Sequence, residues 1–355
     1  MNILAIESSC DETAAAVVKD GHGVLSNVVA SQIDIHAKYG GVVPEVAARA
    51  HVQSIIPVVE ESLSEAKTKW ENIDVIAVTQ GPGLIGSLII GTETARALAI
   101  LKKKPIIAVN HLEGHIYANW ISKNIPQFPL IALLVSGGHT MLIEVENHYK
   151  FKIIGQTRDD AAGEAFDKVA QLLSLPYPGG PNISKSAEKG NPNKYKFPII
   201  DLTSKPKRNT EGFLEYSFPS LDFSFSGLKT AVLNVVKQSK SFSEQDKADI
   251  AASFQKTIVE TLIQNSQRAI AQHKPKSFIL SGGVAANPLL RQELAKLREK
   301  LGTSFYMPDL KYCTDNAAMI GAAAYHKQKE KACLSDEKGF TKPQDLVPNP
   351  NLSLS

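Results

Sequence analysis

The stretch Ile3–Val18, ILAIESSCDETAAAVV, decides the fold class of this 355-residue chain. The apolar residues at both ends of the stretch predict two short buried strands, and the polar residues between them predict a tight turn. The stretch Ile131–Val145, IALLVSGGHTMLIEV, repeats this plan with a turn that carries glycines. The chain is therefore predicted to contain two β-hairpins of similar design.

Each predicted hairpin is followed later in the chain by an apolar run, a glycine turn and a helical pattern. Residues 75–83, VIAVTQGPG, lead into a helix that runs to about Leu101. Residues 277–287, SFILSGGVAAN, lead into a second helix that runs to Leu301. Short apolar runs bounded by glycine are typical of buried strands. The doubled pattern predicts two similar lobes from a duplicated α/β unit, although convergence of common α/β parts would give the same pattern.

The composition is that of an ordinary globular protein, with 43% hydrophobic and 21% charged residues. A net charge of +3 is too small to indicate a nucleic-acid partner by itself. Three widely spaced cysteines argue against a disulfide framework. The chain shows no basic leader and no apolar run of membrane-spanning length, so we expect a cytoplasmic protein without a membrane partner.

A pair of histidines, His111 and His115, suggests a metal site. They lie four residues apart in the stretch HLEGH, a spacing that puts both imidazoles on one face of a helix. Imidazole ligands suit zinc or ferrous iron, although such a pair also arises by chance on exposed helices. Zinc peptidases carry their general-base glutamate directly after the first histidine. Here Leu112 holds that position and Glu113 lies about 200° around the helix, so peptidase chemistry is disfavoured.

The glycine turns suggest a second kind of site, because glycine lets backbone N–H groups approach phosphate oxygens closely. The chain lacks the Walker sequence of P-loop proteins. The order hairpin, hairpin, strand–turn–helix is instead the plan of the actin, sugar-kinase and Hsp70 ATPase superfamily. In that superfamily an acid in the first hairpin handles the metal bound to phosphate. Asp11 holds this position, although an aspartate that stabilises the turn is an equally good explanation.

Ten segments together resemble the tRNA adenosine threonylcarbamoyltransferases, the TsaD/Gcp (YgjD) family, in its bacterial form. The resemblance runs in register from about residue 3 to residue 326. The segments that carry it are 6–13, 39–45, 81–84, 110–115, 134–140, 163–168, 177–181, 223–230, 281–287 and 313–321.

The resemblance implies an α/β, two-lobed actin-like ATPase (ASKHA) fold with duplicated RNase H-like units. The N-terminal lobe is expected at residues 1–128, completed by helices at about 313–330. The second lobe is expected at residues 129–312, with an irregular insertion at 189–226. Residues 331–355 are expected to form a loose tail.

The resemblance also implies an activity. The threonylcarbamoyl group of threonylcarbamoyl-AMP would be transferred to the N6 amine of adenosine 37, in tRNAs that read codons beginning with A. The implied partners are tRNA, a paralogous actin-like protein of the TsaB type and a small P-loop ATPase of the TsaE type. The alternatives are a metal-dependent peptidase of the O-sialoglycoprotein endopeptidase kind and a nucleotide-gated ATPase scaffold.

By the same resemblance, one divalent metal ion per subunit, iron or zinc, is held by His111, His115 and Asp315. Asp11 is the candidate catalytic residue, near the reacting phosphate. An adenylate or ATP-type nucleotide is the implied substrate. The residues implied to contact it are Leu134, Val135, Ser136, Gly137, Gly138, Asp167, Gly180 and Asn287.

Overall fold

The computed structural model describes residues 1–122, 124–202, 207–208, 214–215, 220–238, 243–334 and 339–354. Its strands, numbered in chain order, are β1 Asn2–Glu7, β2 Glu12–Lys19, β3 Gly23–Ser31, β4 Val75–Gly81, β5 Ile106–Asn110, β6 Leu130–Val135, β7 Thr140–Val145, β8 Phe151–Gln156, β9 Lys207–Arg208, β10 Leu214–Glu215, β11 Ser277–Ser281 and β12 Ser304–Tyr306. Its helices are α1 Ile33–Ala37, α2 Pro44–Glu65, α3 Ile85–Lys102, α4 His111–Tyr117, α5 Ala162–Leu172, α6 Gly179–Ala187, α7 Ser226–Gln238, α8 Glu244–His273, α9 Pro288–Leu301 and α10 Ala317–Leu334.

The chain divides into two compact units. The first holds residues 1–126, 145–151 and 306–355, and the second holds residues 127–144 and 152–305. The segment 145–151 thus belongs to the first unit, although it lies within the range expected for the second lobe. Among the described residues, no helix is both long enough and apolar enough to cross a membrane.

The first unit is built on a five-stranded sheet of order β3-β2-β1-β4-β5. Strand β1 pairs antiparallel with β2 and parallel with β4, so the predicted first hairpin is confirmed. Leu4 and Ile6 share a core with Ile55 of α2 on one face of the sheet. On the other face, a Cβ at Gly321 of α10 would lie 2.6 Å from a methyl group of Val18. Helices cover both faces, which explains why β1 and β2 are apolar along nearly their whole length.

The second unit is built on a five-stranded sheet of order β12-β11-β6-β7-β8. Strand β11 pairs parallel with β6, with Ser281 opposite Leu134. From its β8 edge the second sheet has the order β8-β7-β6-β11-β12, and from its β3 edge the first sheet has the order β3-β2-β1-β4-β5. In both sheets three strands that are consecutive in the chain are followed by two strands from later in the chain. The predicted pair of α/β units of similar design is therefore confirmed.

The tail is a correction to the sequence prediction. Residues 331–355 were expected to be loose, yet Leu346 is fully buried. The Thr341 N–H donates to the Ile106 carbonyl at 2.7 Å, and the Asn349 N–H donates to the Gln80 carbonyl at 2.8 Å. Strand β5 lies at the edge of the first sheet, and an edge strand leaves backbone groups that another segment can bind. Thr341 binds this edge strand, whereas Asn349 binds the end of β4, so the described part of the tail is fixed to the first sheet at two strands.

The insertion expected at residues 189–226 lies partly outside the described residues. Its described part contains little regular structure. The two-residue strands β9 and β10 pair antiparallel, and α7 begins at Ser226.

Candidate metal centre and nucleotide cradle

The two histidines lie on α4, directly after β5. Asn110 caps this helix, because its side-chain oxygen accepts a hydrogen bond from the Leu112 N–H at 2.8 Å. The ring centroids of His111 and His115 are 4.7 Å apart, with an interplanar angle of 81°. His111 is 9% exposed and His115 is 1% exposed. A chance pair on an exposed helix is therefore not the explanation, since the whole of α4 is buried.

Asp315 joins this pair through the packing of α10 against α4. Gly114 leaves room for Ile320, because a Cβ at Gly114 would lie 2.7 Å from the end of the Ile320 side chain. Asp315 Oδ1 lies 3.2 Å from His115 Nε2 and 3.5 Å from His111 Nε2. The three candidate ligand atoms all lie within 4.8 Å of one another. The structure thus brings together three residues that are separated by about two hundred positions in the chain.

The burial and chemistry of these groups fit a divalent metal ion. Both ring nitrogens of His115 are buried, and neither makes a hydrogen bond within the part of the chain that the structure describes. His115 Nε2 faces Asp315 Oδ1 but lacks hydrogen-bond geometry, as expected of two lone pairs directed at a shared cation. A buried polar atom without a partner costs about 1–3 kcal/mol. Two imidazoles and a carboxylate suit zinc or ferrous iron, and leave coordination positions for further oxygen ligands.

The electrostatics of the centre also favour a cation. Burial by itself lowers the pKa of His111, but the negative charges of Asp315 and Glu7 overcome burial and raise this pKa to about 9. Burial raises the pKa of Glu7, but the charge of His111 and the hydrogen bonds from His111 and Ser9 together outweigh burial and hold the Glu7 pKa below its usual value. The carboxylates thus stabilise positive charge at the ring, whether the charge comes from a proton or from a metal ion.

The position of Glu113 argues against the peptidase alternative, which needs a general-base glutamate beside the histidines. This residue is 3% exposed, and its Oε2 lies 3.6 Å from Lys327 Nζ. A glutamate paired with a lysine of α10 does not have the position of a general base beside the histidines. The prediction that Glu113 points away from the imidazole pair agrees with this contact.

Asp11 lies in the turn between β1 and β2, in the same unit as the histidines. Burial is the main cause that raises the pKa of Asp11, and the charge of Asp315 raises it further. The turn is held at the Cys10 carbonyl, which accepts hydrogen bonds from His51 Nε2 at 2.9 Å and from Ser87 Oγ at 3.0 Å. Asp11 is therefore a partly buried acid on a fixed turn, and its catalytic role stays a prediction.

The residues predicted to contact the adenylate all lie in the second unit, and Leu134–Gly138 form the end of β6 and the turn after it. A Cβ at Gly282 would lie 2.4 Å from the Val135 carbonyl oxygen, and one at Gly163 would lie 2.5 Å from the Ser136 carbonyl oxygen. Gly282 lets the turn after β11 approach the end of β6, and Gly163 lets the start of α5 approach the turn after β6.

Asp167 contacts the first residue of α6, Gly179, which precedes Gly180. Asp167 Oδ1 accepts a hydrogen bond from the Gly179 N–H at 2.7 Å. A Cβ at Gly179 would lie 2.5 Å from Asp167 Cα, so a glycine is needed for this close approach. Gly180 follows as the second residue of the helix. Because the Gly179 N–H is used by Asp167 and Pro181 has no N–H, the N–H of Gly180 is the donor that this first turn can offer to an anion.

Both the oxygen and the nitrogen of the Asn287 side-chain amide make hydrogen bonds within the protein. Its Oδ1 accepts a hydrogen bond from the Leu290 N–H at 3.0 Å, which caps α9. Its Nδ2 donates to Gln255 Oε1 at 2.9 Å and to Ser184 Oγ at 3.1 Å. These bonds tie the loop before α9 to α6 and α8. A nucleotide acceptor would have to replace one of the two bonds of Nδ2, whereas Oδ1 has a second lone pair for a nucleotide donor.

Four glycines of the turns after β6 and β11 and of the start of α6 face open space. At Gly137, Gly138, Gly180 and Gly283, no atom of the described residues beyond the chain neighbours lies within 4 Å of the position of a Cβ. The folded chain therefore leaves room at these glycines for a ligand to approach the backbone. A cavity of about 830 Å³ lies between α6, α8 and α9, and Ser184 and Gln255, the two partners of the Asn287 amide nitrogen, line it.

Comparison with known proteins identifies the family. A family model described as TsaD, tRNA N6-adenosine threonylcarbamoyltransferase, matches residues 23–322. The chain belongs to the TsaD family. A protein of Clostridium perfringens named tRNA N6-adenosine threonylcarbamoyltransferase is 50% identical to this TsaD chain over 353 residues, which are 99% of the chain and 98% of the relative. A protein of the same name from Caldicellulosiruptor saccharolyticus is 51% identical over 328 residues, 92% of this chain and 93% of the relative.

Solved structures support the fold alone. HypF of T. kodakarensis superposes on 98% of this TsaD chain with a TM-score of 0.61 and 16% identity, over 49% of the HypF chain. Component A of the (R)-2-hydroxyglutaryl-CoA dehydratase of Acidaminococcus fermentans superposes on 94% of the chain with a TM-score of 0.51 and 19% identity, over 99% of its own chain. These matches, with the duplicated sheet order, confirm the predicted actin-like ATPase fold.

Membership of the TsaD family confirms the predicted activity and the predicted bacterial type. This TsaD chain is a transferase that forms threonylcarbamoyladenosine in tRNA, so tRNA is its substrate. Neither the peptidase nor the ATPase scaffold is favoured.

The sequence patterns missed one residue beside the candidate metal centre. The carboxylate of Glu7 lies 3.1 Å from His111 Nδ1. The signal that could have found it is an acid at the end of an apolar strand, since charged residues are rarely fully buried without a partner.

Proposed function

We propose that this enzyme uses threonylcarbamoyl-AMP as donor and modifies adenosine 37 of tRNAs that read codons beginning with A, in the cytoplasm. The donor is a mixed anhydride, so its carbamoyl carbon is already activated. The N6 amine attacks that carbon, a C–N bond forms, the C–O bond to the phosphate breaks, AMP leaves, and the amine loses a proton. Such a reaction needs orientation and charge stabilisation rather than a covalent nucleophile.

The state of Cys10 supports transfer without a covalent intermediate. Burial is the main cause that raises the pKa of its thiol far above the usual value, and neighbouring carboxylates such as Asp11 add to the effect. The thiolate is the nucleophilic form of cysteine, and this thiol is held in its neutral form. Cys10 is therefore a poor acceptor for the carbamoyl group.

The metal part of the proposal involves residues of the first unit. His111, His115 and Asp315 would hold one divalent ion, zinc or iron. When bound, such an ion can bind a threonyl carboxylate or hydroxyl oxygen, or polarise a carbonyl. The observation that carries this proposal is the convergence of the three side chains within 4.8 Å around an imidazole with two unsatisfied nitrogens. Asp11 is proposed to act near the reacting phosphate.

The nucleotide part of the proposal involves the second unit. The backbone of Leu134–Gly138 and the N-terminus of α6 would bind the phosphate. Asp167 would accept hydrogen bonds from ribose or threonyl hydroxyls, and the adenine base would enter the cavity between α6, α8 and α9. The open space at Gly137, Gly138 and Gly180 supports this arrangement.

A direct assay tests the proposed donor and product. The chain, with its proposed protein partners, is incubated with threonylcarbamoyl-AMP and unmodified tRNA, and the nucleosides are analysed by mass spectrometry. We expect threonylcarbamoyladenosine at position 37 and release of AMP. Absence of both the modified nucleoside and released AMP, with intact donor and folded tRNA in the assay, would argue against this donor.

Replacing Asp167 with asparagine is expected to weaken donor binding. Asparagine keeps an oxygen that can accept the bond from the Gly179 N–H, so α6 should still begin correctly. The loss of the charged acceptor should raise the KM for threonylcarbamoyl-AMP about ten- to hundredfold, since a hydrogen bond to a charged group contributes about 1.5–3 kcal/mol. Steady-state kinetics with varied donor measures this change.

Glu164→Gln is the matched control for Asp167→Asn. Glu164 lies on the same helix and pairs with Lys168 at 2.8 Å at the surface. Its replacement should leave the KM within about twofold of the wild-type value, because exposed ion pairs contribute less than about 1 kcal/mol. An equal KM for all three proteins would remove Asp167 from the donor site.

The proposed protein partners are a paralogue of the TsaB type and a small ATPase of the TsaE type. An apolar surface on α2 and α3 is a suitable place for the paralogue. Val52 and Ile56 of α2 are 60% and 46% exposed, and Ile85 and Ile89 of α3 are 48% and 42% exposed. Each pair lies one helical turn apart, so each helix presents an apolar stripe. A partner of the same fold could bury these stripes against its own helices.

Introducing a charge into this surface tests the partner site. Ile89→Lys is expected to weaken association with the paralogue at least about tenfold, because a charge buried without a partner costs several kcal/mol. Leu101→Lys is the control, since Leu101 is 74% exposed on another side of α3. Isothermal titration calorimetry with the purified paralogue measures both. Equal affinity of the two variants would exclude this surface as the docking site.

A further inference from the structure

Glu7 is a fully buried carboxylate at the end of β1. Its Oε1 accepts a hydrogen bond from the Ser9 N–H at 2.6 Å, and its Oε2 accepts one from Thr79 Oγ1 at 2.5 Å. Glu7 Oε2 also lies 3.1 Å from Nδ1 of His111. Burying a charge is costly unless it is paired and hydrogen-bonded. Two donors hold the carboxylate in place, and both of its oxygens have partners.

The imidazole of His111 lies between two carboxylates. Its Nδ1 faces Glu7, whereas its Nε2 lies 3.5 Å from Asp315 Oδ1. Ser9 Oγ, also 3.1 Å from Nδ1, lies on the Glu7 side of the ring. In a neutral imidazole one nitrogen donates and the other offers its lone pair. A hydrogen bond from Nδ1–H to Glu7 leaves the lone pair on Nε2, on the side of Asp315.

We propose that Glu7 is a positioning residue of the metal centre, which fixes the tautomer and orientation of His111 and so strengthens metal binding. This inference rests on the proposed role of His111 as a metal ligand. A carboxylate that accepts the second N–H of a metal-bound histidine orients the ring and makes it a stronger donor. Glu7 also contributes a negative charge, so that a dication with Asp315 and Glu7 forms a neutral set inside the protein.

Zinc binding by the full-length chain tests this role without an activity assay. The Kd for Zn²⁺ is measured by competition with a chromophoric chelator. Glu7→Gln keeps the size of the side chain and removes its charge, and it should raise the Kd about 10- to 100-fold. Glu7→Asp restores the charge at a shorter reach and should give an intermediate Kd.

Ser8→Ala is the matched control. Ser8 is fully buried in the same turn, and its hydroxyl donates to the Ser87 carbonyl at 3.0 Å. Its loss should lower stability by about 1 kcal/mol and leave the Kd for zinc within about twofold. This variant separates damage to the turn from an effect on His111.

A Kd for Glu7→Gln within twofold of the wild-type value would overturn the inference. His111→Ala distinguishes this failure from failure of the proposed site. If His111→Ala loses zinc while Glu7→Gln keeps it, the metal site stands and Glu7 has no positioning role. If His111→Ala keeps zinc, the metal site itself is wrong.

If Glu7→Gln does not fold, Thr79→Val tests the same link between Glu7 and His111, since it removes a donor that holds Glu7. We then expect zinc release several times faster, and an unchanged rate would count against the inference.

Discussion

Replacing His115 with alanine is expected to abolish high-affinity metal binding and to reduce threonylcarbamoyl transfer about a hundredfold or more. His115 is the least exposed of the three candidate ligands, and its ring makes no hydrogen bond within the described residues. Removing it leaves one imidazole and one carboxylate, too few ligands for a stable zinc or iron site. The loss of a metal ion that contributes several kcal/mol to transition-state stabilisation corresponds to a rate loss of two orders of magnitude or more.

The measurements are metal content after dialysis and product formation with threonylcarbamoyl-AMP and tRNA. Zinc should also raise the thermal unfolding midpoint of the wild-type protein and leave that of His115→Ala unchanged, because a ligand that binds the native state stabilises it. His22→Ala is the control, since His22 is an exposed histidine of the same unit whose Nδ1 contacts the Asp20 carbonyl. Full transfer by His115→Ala without bound metal would remove the metal from the mechanism.

Replacing Gly282 with alanine is expected to be the most destabilising of the glycine substitutions around the nucleotide cradle. Gly282 has φ +90°, and a Cβ there would lie 2.4 Å from the Val135 carbonyl oxygen. The backbone strain costs about 1–3 kcal/mol. The clash with the backbone costs about 1–3 kcal/mol more, because neither strand can move away without breaking the parallel pairing of β11 and β6. We therefore expect the free energy of unfolding to fall by about 2–6 kcal/mol.

Gly283→Ala is the matched control for this substitution. Its Cβ would meet no atom of the described residues within 4 Å, beyond its chain neighbours. Its stability should stay within about 0.5 kcal/mol of the wild-type value, as for substitutions that touch no packed group. The added methyl group would occupy the space proposed for the nucleotide, so Gly283→Ala should keep its stability and bind threonylcarbamoyl-AMP more weakly. Urea unfolding measures stability, and equal destabilisation by both variants would contradict the geometry.

The sequence predicts those strands, turns and helices whose patterns extend over only a few neighbouring residues. The alternation of apolar runs with a polar turn predicted the hairpins, and the helices after the glycine turns end at Lys102 and Leu301, as predicted to within a residue. The spacing of His111 and His115 predicted one helix face. These features depend on short-range sterics and on periodicity, which a single sequence displays.

Contacts between residues that are distant in the chain could not be predicted from local patterns. Asp315 reaches the histidines because α10 packs on α4, and spacing alone could not connect them; the family resemblance made that link. Helix α6 begins Gly179-Gly180-Pro181, a poor helical sequence, and it starts where Asp167 accepts a bond from its first N–H. The tail was predicted as loose from its polar composition, whereas Leu346 is buried through contacts with distant strands.

Glu7 illustrates the same limit at the site. Glu7 lies within a motif of the family, but its contact with His111 joins residues that are more than a hundred positions apart and depends on how β1 and α4 pack. The buried amide of Asn287 is a similar case. Its position at a helix start was visible, but its bonds to α6 and α8 were not.

Anomalous diffraction from crystals of the zinc-loaded enzyme, collected on both sides of the zinc absorption edge, tests the central claim most directly. We expect one strong peak in each molecule, about 2.0–2.2 Å from Nε2 of His111, Nε2 of His115 and a carboxylate oxygen of Asp315. The peak should be absent from crystals of His115→Ala. A zinc ion bound elsewhere in the chain, with these three side chains bare, would contradict the account.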